Sequence, residues 1–215
     1  PIKTLPESAG IEDFQTNRAY RANELYGTDL SITKDEFYKY KYDTYYSKNS
    51  VMKYGIDRFL KDVKTENSLL LEGVELLKNW DLGNQKENRS AALAMLTFKI
   101  TYNIKDFNYN YDLIMSQFEE SINFLLDNYG RIDITLGELQ ILKRGNVILP
   151  LDGGPDLLRA IYSKMENNKK IGTHGDCFFQ MVDWDSEGNL TAESIHQFGT
   201  ATIDESSLHY SDQAI

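Results

Sequence analysis

Apolar positions recur at three- and four-residue spacing through the first two thirds of the chain and give way to alternation only near its end. Ile11, Phe14, Ala19, Ala22 and Leu25 keep near-helical spacing up to Gly27, after a lead-in broken by Pro1, Pro6 and Gly10. Thr33 and Glu36 fit a capping box and predict a short helix through about Tyr40. Ser47 or Ser50 suits the cap of a third helix reaching about Lys64, with Val51, Tyr54, Phe59 and Val63 inward. Leu69, Leu70, Val74, Leu76, Leu77 and Trp80 form the clearest amphipathic stripe, broken by Asp81-Leu82-Gly83-Asn84. Residues 90–102 are apolar nearly all round and predict a central buried helix. Tyr111, Ile114, Phe118, Ile122, Leu125 and Tyr129 predict a long helix ending at Gly130, and a short one follows from about Thr135 to Lys143.

Beyond Gly145 the pattern changes. Leu149-Pro150 and Asp152-Gly153-Gly154-Pro155 are turn chemistry, and Pro155 suits the first turn of a helix running to about Met165. Residues 178–184 and 193–198 are strand-like runs around Asp185-Ser186-Glu187-Gly188, a hairpin signal. The tail from residue 200 is polar. The expected class is α+β, with a helical region over 1–145 and a turn, helix, β-hairpin and irregular tail over 146–215, together forming one unit with segments upstream.

Composition narrows the functional classes. The 215 residues carry a net charge of −10, with 41% hydrophobic and 26% charged residues, which is ordinary globular usage. The strongest apolar stretch, residues 91–100, contains Lys99 and falls short of the roughly 18 residues a membrane span needs. Scattered Lys and Arg within an acidic chain argue against nucleic acid as a partner, because phosphate binding needs clustered basic residues. The single cysteine, Cys177, excludes an internal disulfide framework and a multi-cysteine zinc site. No cofactor and no metal are expected.

Several constellations carry candidate chemistry, and each has a plainer structural explanation. An N-terminal proline such as Pro1 can serve as a catalytic base, but Pro6 interrupts the strand such a base requires. Asp183 to Gly188 opens like a calcium loop, yet its twelfth position is Ser194 where a bidentate Glu is needed, so a polar turn with Gly188 at positive φ is preferred. Cys177, His174 and His196 offer a thiol–imidazole pair, but a Cys beside Phe178 and Phe179 is more often a small buried hydrophobe. Ser206, Ser207, His209 and Asp212 supply every atom type of a triad, although triads are assembled from distant segments. Gly153-Gly154 lacks the Gly-Lys-Ser/Thr that completes a P-loop. The aromatic run Phe37, Tyr38, Tyr40, Tyr42, Tyr45 and Tyr46 fits a ligand wall or a half-buried helix junction equally well.

The order of short motifs is more informative. Arg144-Gly145, Leu149-Pro150-Leu151-Asp152-Gly153-Gly154-Pro155-Asp156 and Leu158-Arg159-Ala160 resemble the closing region of the penicillin acylase family. So do Gly175-Asp176, the Asp185 to Gly188 turn and Ser194-Ile195-His196. His209-Tyr210-Ser211-Asp212-Gln213 is similar to that family's late His-(Phe/Tyr)-x-Asp-Gln element. Asn17-Arg18-Ala19, Arg21-Ala22, Ile32-Thr33, Tyr42-Asp43-Thr44-Tyr45-Tyr46-Ser47 and Trp80-Asp81 look like its acyl-homoserine-lactone acylase branch. The likeness runs over nearly the whole chain.

The resemblance implies the C-terminal part of the large chain of an N-terminal-nucleophile amidohydrolase, within a four-layer αββα sandwich. In that family a newly exposed Ser attacks the amide carbonyl, and its own α-amino group, with a pKa near ~8, acts as base. A backbone N–H and an Asn side chain form the oxyanion hole. Here the first residue is Pro1. The nucleophile, its nearby His and the oxyanion Asn are therefore expected upstream, with no catalytic residue in this chain and no substrate-binding residue assigned. Cys177 stands where relatives often carry Ser and is read as structural. The implied substrate is an acyl amide, either an acyl-homoserine lactone, a penicillin-like amide or a related N-acyl compound. The implied partners are upstream segments of the same precursor, and the implied location is periplasmic or secreted. Two competing expectations are a non-catalytic acidic helical interaction or scaffold domain and a Cys–His hydrolase built on Cys177.

Overall fold

Among the described residues, seven α-helices precede or flank a four-stranded sheet, and a separate β-hairpin follows. A computed structural model describes residues 8, 15–99, 108–175, 178–195, 199–201 and 203–212. The helices are α1 (Asn17–Tyr26), α2 (Lys34–Lys41), α3 (Val51–Asp62), α4 (Ser68–Lys78), α5 (Ala91–Thr97), α6 (Tyr111–Tyr129) and α7 (Leu136–Leu139). The strands are β1 (Gln140–Arg144), β2 (Val147–Pro150), β3 (Ile161–Glu166), β4 (Lys169–Gly175), β5 (Phe179–Trp184) and β6 (Leu190–Ile195). The chain is α+β, with helices dominating its first two thirds.

Most helix starts have a polar side chain satisfying an orphan N–H group. Thr33 and Glu36 close the expected capping box on α2, and Thr135 and Glu138 close a second one on α7. Ser50, rather than Ser47, caps α3 by accepting from the Lys53 N–H. Gly130 ends α6 in the left-handed region at φ 71°, as a C-terminal glycine does.

The helical core gathers where α5, buried at every residue but Leu96, lies against α6. Phe59 is wholly buried, with the rings of Phe98, Tyr111 and Phe118 at 6.1, 6.2 and 5.1 Å. Gly73 lets α4 approach α6, because a Cβ there would stand 2.7 Å from Ile122 and 2.8 Å from Phe118. The buried side of α3 is Met52, Ile56 and Phe59, whereas Tyr54 is exposed. This corrects the expected inward set at Val51 and Tyr54: the i, i+4, i+7 row through Met52 faces the core. The expected central helix over 90–102 is shorter than predicted: α5 ends at Thr97, because Phe98 at ψ 82° leaves the helical region, and residues 100–107 lie outside the described residues. The expected first helix starts later than Ile11: extended Thr16 caps α1 at Asn17, and residues 11–14 lie outside the described residues.

Two expected helices are replaced by strands. The short helix predicted to Lys143 stops at Leu139, and residues 140–144 form β1. There they pair antiparallel with β2 and parallel with β4, hydrogen bonds that local helical spacing does not encode. The helix predicted from Pro155 to Met165 does not form, because Asp156 takes φ 58° and a right-handed helix cannot pass through it. Residues 161–166 become β3, joined to β4 by Asn167 and Asn168 at φ 47° and 63°. That is a two-residue turn whose positive φ values match the twist of a hairpin. The sheet order is β2-β1-β4-β3. Leu142, Leu151 and Ile161 form a small second cluster beside it.

The predicted C-terminal hairpin forms as β5 and β6, registered Phe179↔Ile195 through Trp184↔Leu190. Its second strand starts at Leu190, earlier than expected, and residues 196–198 lie outside the described residues. No described helix is long and apolar enough to cross a membrane.

Candidate functional site

Some of the short motifs, Asn17-Arg18, Arg21, Asp43, Ser47 and the Asp152 to Asp156 turn, meet in one polar clasp. Ile32-Thr33, Trp80-Asp81, Asp185 to Gly188 and His209 to Asp212 lie outside it. Asn17, the only buried residue of α1, is its centre. Its backbone N–H donates to Asp156 Oδ2 at 2.8 Å, and its side-chain amide donates to the Asp156 carbonyl at 2.8 Å. Its Oδ1 accepts the Ser47 N–H at 2.7 Å. The Asp156 carboxylate therefore sits at the N-terminus of α1, where free N–H groups and the helix dipole favour negative charge. Arg18 donates to its second oxygen at 3.4 Å and reaches the Tyr162 hydroxyl at 3.3 Å.

One turn further along α1, Arg21 grips Asp43 through two N–H groups at 2.9 and 2.8 Å. The Asp43 carboxylate holds the Arg21 guanidinium above its ordinary pKa, against the opposing effect of burial. Glu24 accepts from the Ser47 hydroxyl at 2.6 Å, and the Asp43 carbonyl accepts the Arg159 N–H at 3.1 Å. Tyr46 donates its hydroxyl to the Pro155 carbonyl at 2.9 Å. Burial drives that phenol well above the usual tyrosine range.

The Gly153-Gly154 turn is held from the other side. Its Gly153 N–H donates to the Asn84 carbonyl at 2.9 Å, and Gln140 Nε2 donates to the Gly153 carbonyl at 3.0 Å. Gly153 sits at φ 90°, and a Cβ there would stand 2.4 Å from the Arg159 carbonyl, so only glycine fits. With those N–H groups engaged internally, the pair forms no phosphate cradle. Both oxygens of Asp43 and of Asp156 are likewise held by fixed donors. The clasp locks α1, the α2–α3 junction and the Asp152 to Asp156 turn together and presents no free base.

The other sequence candidates separate. His209 Nδ1 pairs with Asp212 at 2.8 Å, but Ser207 Oγ accepts the His209 backbone N–H and Ser206 Oγ donates to Asp204 at 2.6 Å. Neither serine hydroxyl bonds to the His209 ring, so the four residues do not form a triad. His174 stacks on Tyr162 at 4.8 Å, while Cys177, His196 and Pro1 lie outside the described residues. Asp185 accepts from the Glu187 and Asn189 N–H groups and from the Asn189 amide at 2.8 to 2.9 Å, with Gly188 at φ 83°. Hydrogen bonds from Asn189 hold the Asp185 carboxyl below its usual range. The segment is a self-satisfied hairpin turn. Among the described residues, no group of three or more His, Cys, Asp and Glu is arranged to hold a metal.

The aromatic run divides. Tyr46 enters the core, and Tyr42 packs edge-on to Phe179 at 5.8 Å. Phe37 and Tyr38 line a groove of about 360 Å³ between α2 and the β5–β6 hairpin, floored by Ile32 and Met181. Lys34 and Asp183, 3.7 Å apart, stand at its rim. Tyr38 donates to Glu193 at 2.7 Å, and that hydrogen bond helps push its phenol up to about 12. Phe37 also faces a second depression of about 300 Å³ with Tyr26, Tyr40 and Leu158.

No protein-family model matches the chain, and none of the curated proteins matches it significantly. The acylase resemblance accordingly rests on the quoted residues alone. Sequence reasoning missed the role of Asn17, Asp43 and Asp156 as one unit. The one local signal was Asn17, a polar residue at the buried position of α1.

Proposed function

We propose that this chain is the C-terminal part of the large chain of an amidohydrolase of the penicillin acylase type, closest in kind to the acyl-homoserine-lactone acylase branch. The observation that carries the proposal is the clasp. Asn17-Arg18, Arg21, Asp43, Ser47 and the Asp152 to Asp156 turn resemble segments of that family, and the same residues bond to one another. Motif pieces that agree by chance have no reason to meet in space.

In this reading the parent protein hydrolyses an acyl amide, such as an acyl-homoserine lactone or a penicillin-like substrate, in the periplasm or outside the cell. The nucleophilic Ser, its α-amino base and the oxyanion donors come from upstream segments. This chain braces them and is inactive alone. The β5–β6 hairpin joins upstream strands in an αββα sandwich, which accounts for a two-stranded ribbon too small to be stable by itself.

Expression of the chain with its native upstream sequence tests the proposal. Mass spectrometry is expected to find self-cleavage that exposes a new N-terminal Ser ahead of this chain. An upstream sequence without such a junction, yielding one uncleaved polypeptide, overturns the acylase reading and leaves a non-catalytic acidic scaffold domain.

A further inference from the structure

The groove between α2 and the β5–β6 hairpin belongs neither to the clasp nor to the proposed hydrolysis. Its two walls follow from the periods of the elements that build them. Lys34, Phe37 and Tyr38 are spaced i, i+3 and i+4 and share one face of α2. The pairs Met181↔Glu193 and Asp183↔Thr191 put these four residues on one face of the hairpin, and that face meets α2. Two polar ties bridge the walls, Lys34 to Asp183 at 3.7 Å and the Tyr38 hydroxyl to Glu193 at 2.7 Å. They span a groove of about 360 Å³, inside the range of roughly 300–1,000 Å³ typical of small-molecule sites. The lining holds one cation, Lys34, against the carboxylates of Asp183 and Glu193, a net charge of −1. Lys34 answers Asp183, whereas among the described residues no Lys or Arg pairs with Glu193. Phe37 is 51% exposed although Met181, on the opposite wall, is buried, so apolar surface in the groove is left to be covered.

We infer that this groove binds a small arylalkylammonium, with its ring against Phe37 and Met181 and its ammonium group donating to Glu193 beside Tyr38. Ring-on-ring and ring-on-thioether contacts suit an aromatic body. A carboxylate next to an aromatic side chain suits a compact cation, through charge and through the ring quadrupole. An anion of the same shape meets Glu193 and is repelled, and a neutral one leaves the charge of the groove unanswered. The inference goes beyond the acylase reading and does not rest on it.

The test titrates the full 215-residue chain with phenethylammonium and with two probes of similar shape, phenethyl alcohol and phenylpropionate, read by backbone amide NMR. The ammonium is expected to move the resonances of residues 32–38 and 181–193 with half-saturation near ~1 mM, a strength that a ligand of so few heavy atoms can supply. The alcohol should bind about threefold and the propionate about tenfold more weakly, and ~0.5 M salt should narrow those gaps because it shortens the screening length. Glu193→Gln keeps an acceptor for the Tyr38 hydroxyl and removes the charge. It should weaken the ammonium about fivefold and leave the alcohol unchanged, a split that a merely structural role would not produce. Lys34→Gln, at the exposed rim, should tighten the ammonium about twofold by releasing Asp183. Unmoved α6 resonances in each variant verify the fold, and Lys34→Gln decides alone if Glu193→Gln does not fold. Absence of a saturable shift, shifts confined to residues outside the groove, equal affinity for ammonium and propionate, or an ammonium affinity unchanged in either folded variant overturns the inference. None of these readouts involves amide hydrolysis, so they fail or succeed independently of the acylase reading.

Discussion

Asp156 stores more consequence than any other single side chain here. Its carboxylate is buried, takes the first N–H of α1 at 2.8 Å, and belongs to a residue held at φ 58°. Asp156→Ala leaves the Asn17 N–H without its partner inside the protein, at a cost of about 3 kcal/mol, since hydrogen bonds to charged groups contribute more than neutral ones. Chemical denaturation should show a lower midpoint at unchanged slope; a variant as stable as the parent would remove the clasp from the account. Gly73 makes a second prediction of the same scale. Gly73→Ala places a methyl 2.7 Å from Ile122 and should destabilise by about 1 to 3 kcal/mol, although alanine is the better helix former. A melting temperature equal to or above that of the parent would contradict it. At this scale the sequence was legible where one residue has one local job, as with Thr33, Glu36, Gly130 and Gly188. It was illegible where the job depends on a partner more than a hundred positions away, as with Asn17 and Asp156.

Helices were easier to read than strands because their evidence is local. The stripes of α4 and α6 and the caps of α2 and α3 all lie within a few residues of the elements they define. Strands β1 to β4 depend on one another, and β1 reads locally as the continuation of α7. The turn Asn167-Asn168, at positive φ in both residues, lies just past the end of the helix expected from Pro155 and was not read as a hairpin. The capping box of α7 also predicts a pH response. Partial burial raises the Glu138 carboxyl, but the Thr135 N–H and the Arg131 guanidinium outweigh it and hold it below its usual range. A depressed carboxyl stabilises the fold above its unfolded value of about 4.3 and loses that contribution as pH falls through the lower folded value. Amide protection around residues 135–139, measured against the intrinsic exchange rate at each pH, should therefore fall at acid pH, and Glu138→Gln should flatten the change. An unaltered pH profile in that variant would mean that the carboxylate does not hold the turn.

At the scale of the whole molecule, the clasp turns separate sequence pieces into one frame. The charge of −10 and the α+β class were legible in the chain, whereas the four-stranded sheet and the meeting of Asn17, Asp43 and Asp156 were not. Both depend on contacts between residues far apart in sequence. The measurement that tests the central claim most directly is amide hydrolysis of a panel of acyl-homoserine lactones and a chromogenic acyl anilide. It compares this chain alone, the chain joined to its native upstream sequence, and the joined protein carrying Asp156→Ala. The account predicts activity only in the joined protein, reduced when the clasp is broken. Hydrolysis by the 215 residues alone would contradict it and return Cys177 and Pro1 to consideration as nucleophile and base.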